Sequence, residues 1–110
     1  MKQADQVLLV MTNVPDEKTG EMIARHVVEH RLAACVNCLP GVRSIYRWQE
    51  IIEDAKESSL LIKTTAACYT DLEAAIKSLH PYDVPEIIAL PITHGLPTYL
   101  DWIMSETKKE

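Results

Sequence analysis

The stretch "AACVNCLPGVRSIYRW", Ala33 to Trp48, decides the fold. From Val42 to Trp48 its side chains alternate between two faces, which is typical of a β-strand. The pair Pro40-Gly41 interrupts this strand and predicts a bulge or bend, because proline cannot donate to a sheet. At about 3.3 Å per residue an extended element of this length reaches ~50 Å, whereas a compact domain of this size has a radius of gyration near ~13 Å. We therefore expect a strand that projects from its subunit.

A second strand follows and completes a hairpin. Ser58 to Thr65, "SSLLIKTT", has the composition of a strand. The segment between the two strands, Gln49 to Lys56, is polar and acidic apart from Ile51 and Ile52. Exposed apolar strand edges are usually covered by a partner. We therefore predict an oligomer in which this hairpin docks on a neighbouring subunit.

The residues before the hairpin predict a strand and a helix. Gln6 to Val14 is a continuous apolar and β-branched run of strand length. Glu17 to Arg31 carries apolar residues at helical spacing, and Asp16 stands before it as an N-cap. Strand and helix together form the first half of a βαβ unit.

The residues after the hairpin repeat this pattern. Thr70 and Glu73 have the spacing of a capping box, followed by apolar residues at helical intervals. Glu86 to Thr93 predicts a fourth strand, and Pro97 can open a short last helix. The order βαββαβ with a closing helix is the split βαβ pattern, in which two helices cover one face of an antiparallel sheet. The sequence therefore predicts an α+β, ferredoxin-like fold in a single domain over residues 1–110.

Composition narrows the class of protein. The chain has 47% hydrophobic residues and a net charge of −5, which is typical of a soluble globular protein without a basic nucleic-acid-binding face. No apolar run is long enough to cross a membrane, and the start lacks the apolar core of a signal peptide, so we expect a cytoplasmic protein. Three cysteines in such a chain fit reduced thiols better than a disulfide framework.

The run "SLHPYDVPEI", Ser78 to Ile87, is the strongest candidate for a binding site. Its first proline stops a helix and its second keeps the chain extended, so both have structural roles. Its polar side chains gather at the rim of the fold, where ligands reach polar groups. They are His80, Tyr82, Asp83 and Glu86. We weigh a binding role for them against a purely structural helix stop.

Lys63 raises a similar choice. It lies in an otherwise apolar strand, where a lysine has to face solvent, a carboxylate or a ligand. Solvent is one interpretation. The other is a ligand-facing position close to Tyr46 and Trp48 across the hairpin.

Two further pairs have the residue types of metal sites. His26 and His30 stand four apart on the first helix and can chelate Zn²⁺ or Cu²⁺, but two ligands alone bind weakly, so we interpret them as a solvated helix face. Cys35 and Cys38 stand three apart on a strand and point to opposite faces, which is typical of packed thiols. No nucleophile with a base and no glycine-rich phosphate loop is recognisable, so we expect a protein that is not an enzyme.

Five motifs together resemble the CutA family, the divalent-cation tolerance proteins of bacteria with relatives in plants and animals. They are "RLAACVN" (31–37), "PGVRSIYRW" (40–48), "LLIKT" (60–64), "HPYDVPEIIALPI" (80–92) and "YLDWI" (99–103). The resemblance implies a cytoplasmic, PII-like homotrimer built through the long hairpins and linked to copper and other divalent ions. It also implies an intersubunit cleft lined by Tyr46, Trp48, Lys63, Tyr82 and Glu86.

The resemblance further implies where copper binds. The ligands of copper-binding bacterial members are a cysteine on the first strand and two adjacent histidines before Pro-Tyr. Here the matching positions are Met11 and the pair Leu79-His80, so only His80 carries over as a metal ligand. At the hairpin tip this chain has Glu50 and Ile51 where similar members have glycine and a basic residue, which predicts a different turn.

Two functions follow as hypotheses. The first is a homotrimeric divalent-cation tolerance protein that binds copper or another divalent metal ion weakly through His80, without catalysis and without an organic cofactor. The second is a PII-like sensor that binds a small anionic metabolite in the intersubunit cleft. Neither requires nucleic acid or a membrane.

Overall fold

The computed structural model describes residues 5–108, which form a four-stranded antiparallel sheet and three α-helices. The first half contains β1 (Val7–Val14), α1 (Glu17–Glu29) and β2 (Cys35–Trp48). The second half contains β3 (Ile51–Thr65), a 3₁₀ turn (Ala66–Cys68), α2 (Tyr69–Leu79), β4 (Ile87–Pro91) and α3 (Pro97–Glu106). The strand order is β2-β3-β1-β4. The predicted βαββαβ order with a closing helix is confirmed.

The core lies between the two main helices and one face of the sheet. Alternate side chains of the central strands point to this face, where Val10 of β1 and Leu60 of β3 are completely buried. Ile23 from the apolar side of α1 and Ile76 from the apolar side of α2 pack against them. Asp16 caps α1 as predicted, because its carboxylate accepts the Thr19 N–H at 2.8 Å. This hydrogen bond lowers the pKa of Asp16.

The hairpin of β2 and β3 projects from this body. The molecule measures 44 × 25 × 22 Å, in agreement with a long arm on a small domain. The register of β2 against β3 shifts between Leu39 and Val42, which is the bulge predicted at Pro40-Gly41. Gly41 has φ +74°, a left-handed conformation that glycine adopts without a steric penalty.

Two predicted boundaries are wrong. The strand expected to begin at Ser58 begins at Ile51, because Ile51 and Ile52 pair with the end of β2 and extend the ladder across the acidic segment. The capping box predicted at Thr70 is absent, because the 3₁₀ turn leads directly into α2, whose N-cap Cys68 makes no side-chain hydrogen bond. Glu73 instead accepts a hydrogen bond from the Tyr69 hydroxyl at 2.8 Å.

Candidate functional site

An open cleft of about 500 Å³ lies where β1 ends, between the projecting hairpin and the segment that joins α2 to β4. We call it the end cleft. The hairpin contributes two aromatic residues and a carboxylate to it, β1 contributes one amide, and the joining segment contributes the rest. The lining residues are Asn13, Tyr46, Trp48, Glu57, Pro81, Tyr82, Asp83, Val84 and Glu86.

His80 fixes the joining segment to the end of β1. Its ring is 7% exposed, and Nε2 lies 2.6 Å from the Asn13 carbonyl oxygen. Nδ1 accepts the Tyr82 backbone N–H at 3.2 Å. A carbonyl only accepts and an N–H only donates, so His80 is the neutral imidazole with its proton on Nε2. Both ring nitrogens are therefore engaged within the subunit.

Tyr82 and Glu57 are hydrogen bonded to each other in the wall of the end cleft. The Tyr82 hydroxyl donates to Oε2 of Glu57 at 2.8 Å, and Glu57 is only 6% exposed. Burial, and then the hydrogen bond to Glu57, raise the pKa of Tyr82, so the phenol stays a donor at neutral pH. The ring of Tyr82 also packs against that of His80, with centroids 4.7 Å apart. These contacts hold one wall of the cleft in place.

A second chain of hydrogen bonds connects β3, β1 and the joining segment. Ser59 donates through its hydroxyl to Oδ1 of Asn13 at 2.6 Å. The amide nitrogen of Asn13 donates to Oε1 of Glu86 at 3.3 Å. Asn13 thus orients the Glu86 carboxylate toward the sheet, while Glu86 remains exposed.

The charge of the end cleft is negative. Glu57, Asp83 and Glu86 all line it, and no lysine or arginine is among the lining residues. An anionic ligand would meet no lysine or arginine among these lining residues of one subunit. A cation, in contrast, would offset the cost of holding these carboxylates together.

The structure brings together four of the five residues predicted for the ligand-binding cleft. Tyr46, Trp48, Tyr82 and Glu86 all line it. Lys63 does not, and its expected proximity to Tyr46 and Trp48 is wrong within one subunit. The register pairs Lys63 with Cys35, whereas Tyr46 pairs with Glu53, ten residues before Lys63 in β3. The Lys63 ammonium instead donates to the Asn37 side chain.

Glu57 and Asn13 belong to the site but were not predicted from the sequence. Glu57 lies at the junction between the acidic segment and the predicted strand. The polar residues around it are typical of a solvated turn, so the sequence gives no sign that Glu57 is buried. Its pairing with Val42 places it on the same face of the hairpin as Tyr46. Only the extended β3 ladder reveals this juxtaposition.

A complete metal centre is not present within residues 5–108, since no three His, Cys, Asp or Glu side chains are placed to hold one ion. A metal ion at His80 would have to displace the Asn13 carbonyl or the Tyr82 N–H. His94 and His30 have exposed imidazoles, and His30 stacks on His26 at the end of α1 with ring centroids 4.1 Å apart. Cys38 faces α1 instead, and burial raises the pKa of its thiol.

Comparison with known proteins identifies what the chain is similar to. Residues 8–106 match the family model described as "CutA1 divalent ion tolerance protein". The "Divalent-cation tolerance protein CutA" of Thermus thermophilus is 52% identical over 100 residues, which cover 90% of this chain and 96% of that protein. "Protein CutA, chloroplastic" of Arabidopsis thaliana is 40% identical over 92% of this chain, which spans 56% of that relative.

The solved structures lead to the same group. The crystal structure of CutA1 from Oryza sativa superposes with a TM-score of 0.94 at 36% identity, covering 99% of this chain and 100% of that one.

None of the helices formed within residues 5–108 combines the length and apolarity that a membrane crossing needs.

Proposed function

The chain belongs to the CutA1 family of divalent ion tolerance proteins, and we propose that it contributes to divalent-cation tolerance by binding such ions without catalysing a reaction. The observation that carries this proposal is the end cleft, in which three carboxylates gather without a lysine or arginine among the lining residues. Carboxylate and amide oxygens are the ligands that hard divalent cations prefer. The location is proposed to be cytoplasmic, although the Arabidopsis relative is named chloroplastic.

The proposed assembly is a PII-like homotrimer in which each hairpin docks on a neighbour. Ile45 and Ile52, 66% and 58% exposed, lie on the hairpin face opposite to the end cleft. Ile88 and Leu90 of the edge strand β4 are each 48% exposed. A second subunit that covers these side chains would bury apolar area. Sedimentation equilibrium should then give three times the 12.4 kDa of one chain.

Calorimetric titration with Mn²⁺ and Cu²⁺ tests the ion-binding proposal. We expect Glu86→Gln to weaken Mn²⁺ binding by about tenfold, the equivalent of about 1.4 kcal/mol, because it removes a charged ligand. His80→Gln keeps a donor for the Asn13 carbonyl and removes the imidazole, so it should leave Mn²⁺ binding unchanged. A His26→Ala/His30→Ala variant identifies any Cu²⁺ held by the imidazoles of α1.

The titration has clear contrary outcomes. Binding heats equal to those of buffer with both ions would refute a divalent-ion function. A loss of Cu²⁺ binding in His80→Gln alone would show that His80 is a metal ligand and that its hydrogen bonds are displaced by the metal.

Cells that lack the protein should also grow less well than wild type in elevated copper.

A further inference from the structure

The end cleft holds more negative charge than its own residues compensate. Glu57 is 6% exposed, and its carboxylate is hydrogen bonded by a neutral phenol, the Tyr82 hydroxyl. Asp83 and Glu86 line the same space, again without a lysine or arginine in the lining. Burying a carboxylate without a cationic partner is costly, so this site gains stability from any cation that enters it.

Aromatic rings form much of the remaining wall. Tyr46, Trp48 and Tyr82 line the end cleft and are between 37% and 41% exposed. The faces of aromatic rings attract ammonium groups, and tryptophan does so best. Tyr46 lies on the same face of the hairpin as Glu57. Glu57 pairs with Val42, which is four residues before Tyr46 on β2, and residues an even number apart on a strand share a face. Carboxylates and aromatic rings thus line one volume.

The size of the cleft leaves room for a ligand larger than a bare ion. A volume of about 500 Å³ lies within the range of small-molecule sites. The carboxylates are spread around this volume, and within residues 5–108 no three acidic, histidine or cysteine side chains converge as metal ligands. A ligand that fills the cleft must therefore be larger than a metal ion and carry positive charge.

We propose that the end cleft binds a small organic cation, a primary alkylammonium compound. Its ammonium N–H groups would donate to the carboxylates around Glu57, and its alkyl chain would lie against the rings of Tyr46 and Trp48. Primary ammonium is favoured over a methylated one because the carboxylates need hydrogen-bond donors. This ligand class goes beyond metal tolerance, and alkylammonium binding does not require that the chain binds metals.

Isothermal titration with 1,5-diaminopentane at constant ionic strength tests this proposal. The matched probes are 1,5-pentanediol, which is neutral and of the same length, and glutarate, which is anionic. We expect saturable binding of the diamine only. Glu57→Gln and Trp48→Leu should each weaken it by about tenfold or more. Asp71→Asn removes an exposed charge from α2, outside the cleft lining, and should leave binding unchanged.

Several results would overturn the alkylammonium site. These are equal binding of the diol, binding of glutarate, or a loss in Asp71→Asn as large as that in Glu57→Gln, which would indicate non-specific attraction. If Glu57→Gln does not fold, Trp48→Leu still decides, because Trp48 is 41% exposed and lies outside the core. Failure of the diamine with retained Mn²⁺ binding would reject this proposal alone, and the reverse result would reject only the metal proposal.

Discussion

At the scale of single residues, two buried threonines show what an unpaired hydroxyl costs. Thr12 and Thr64 are both completely buried on the helix-facing side of the sheet. The Thr64 hydroxyl donates to the Leu32 carbonyl at 2.7 Å, whereas the Thr12 hydroxyl has no partner. Thr12→Val should therefore raise the free energy of unfolding by about 1 kcal/mol, and Thr64→Val should lower it by about 1 kcal/mol. Urea denaturation of the pair checks this, and the same sign for both variants would contradict it.

Tyr82 makes stability depend on alkaline pH. Because its pKa is raised above the ordinary value of 10.0, mainly by burial, the folded state holds the phenolic proton more tightly than the unfolded state. The resulting stabilisation is fully present below pH 10 and is lost as the pH rises above it. Tyr82→Phe should remove part of this loss, measured as the change in urea midpoint between pH 9 and pH 11.5. Identical changes in wild type and Tyr82→Phe would show that folding does not raise the pKa of Tyr82.

At the scale of elements, the hairpin turn is built from unfavourable residues. Gln49 and Glu50 have φ +48° and +68°, the combination of a type I′ turn, which Asn-Gly favours. The left-handed region costs an ordinary L-residue roughly 1–2 kcal/mol. Replacing both residues by Asn-Gly should therefore raise the free energy of unfolding by about 1 kcal/mol or more, measured by urea denaturation. Gln49→Asn alone, which keeps Glu50, should give a smaller gain, and a loss with Asn-Gly would refute the turn type.

The same hairpin shows how far the sequence predicts the structure. Alternation along β2 and the break at Pro40-Gly41 depend on local sterics, so both could be predicted. The start of β3 at Ile51 could not, because the acidic residues after it gain their strand conformation from pairing with β2, for example through the bidentate contact of Arg43 with Asp54. The end cleft was predicted only in part. The sequence identifies its aromatic residues as candidates, but the position of Lys63 away from the cleft follows from the register of β2 against β3, which the sequence does not give.

At the scale of the whole molecule, two features of the chain are left without a partner. One is the apolar surface of the hairpin and of β4, which the proposed trimer would cover. The other is the negative charge of the end cleft, which a bound cation would neutralise. Both lie away from the helix-covered core, so the subunit can fold before a partner or a cation binds. We propose that cations bind in this cleft.

Broadening of the two tryptophan indole N–H resonances by paramagnetic Mn²⁺ tests that claim most directly. Trp48 lines the end cleft, whereas Trp102 stacks on Tyr99 in α3. We predict that substoichiometric Mn²⁺ broadens the Trp48 signal first and strongly, and that excess 1,5-diaminopentane restores it. Equal broadening of both signals, or broadening of Trp102 alone, would contradict a cation site in the end cleft.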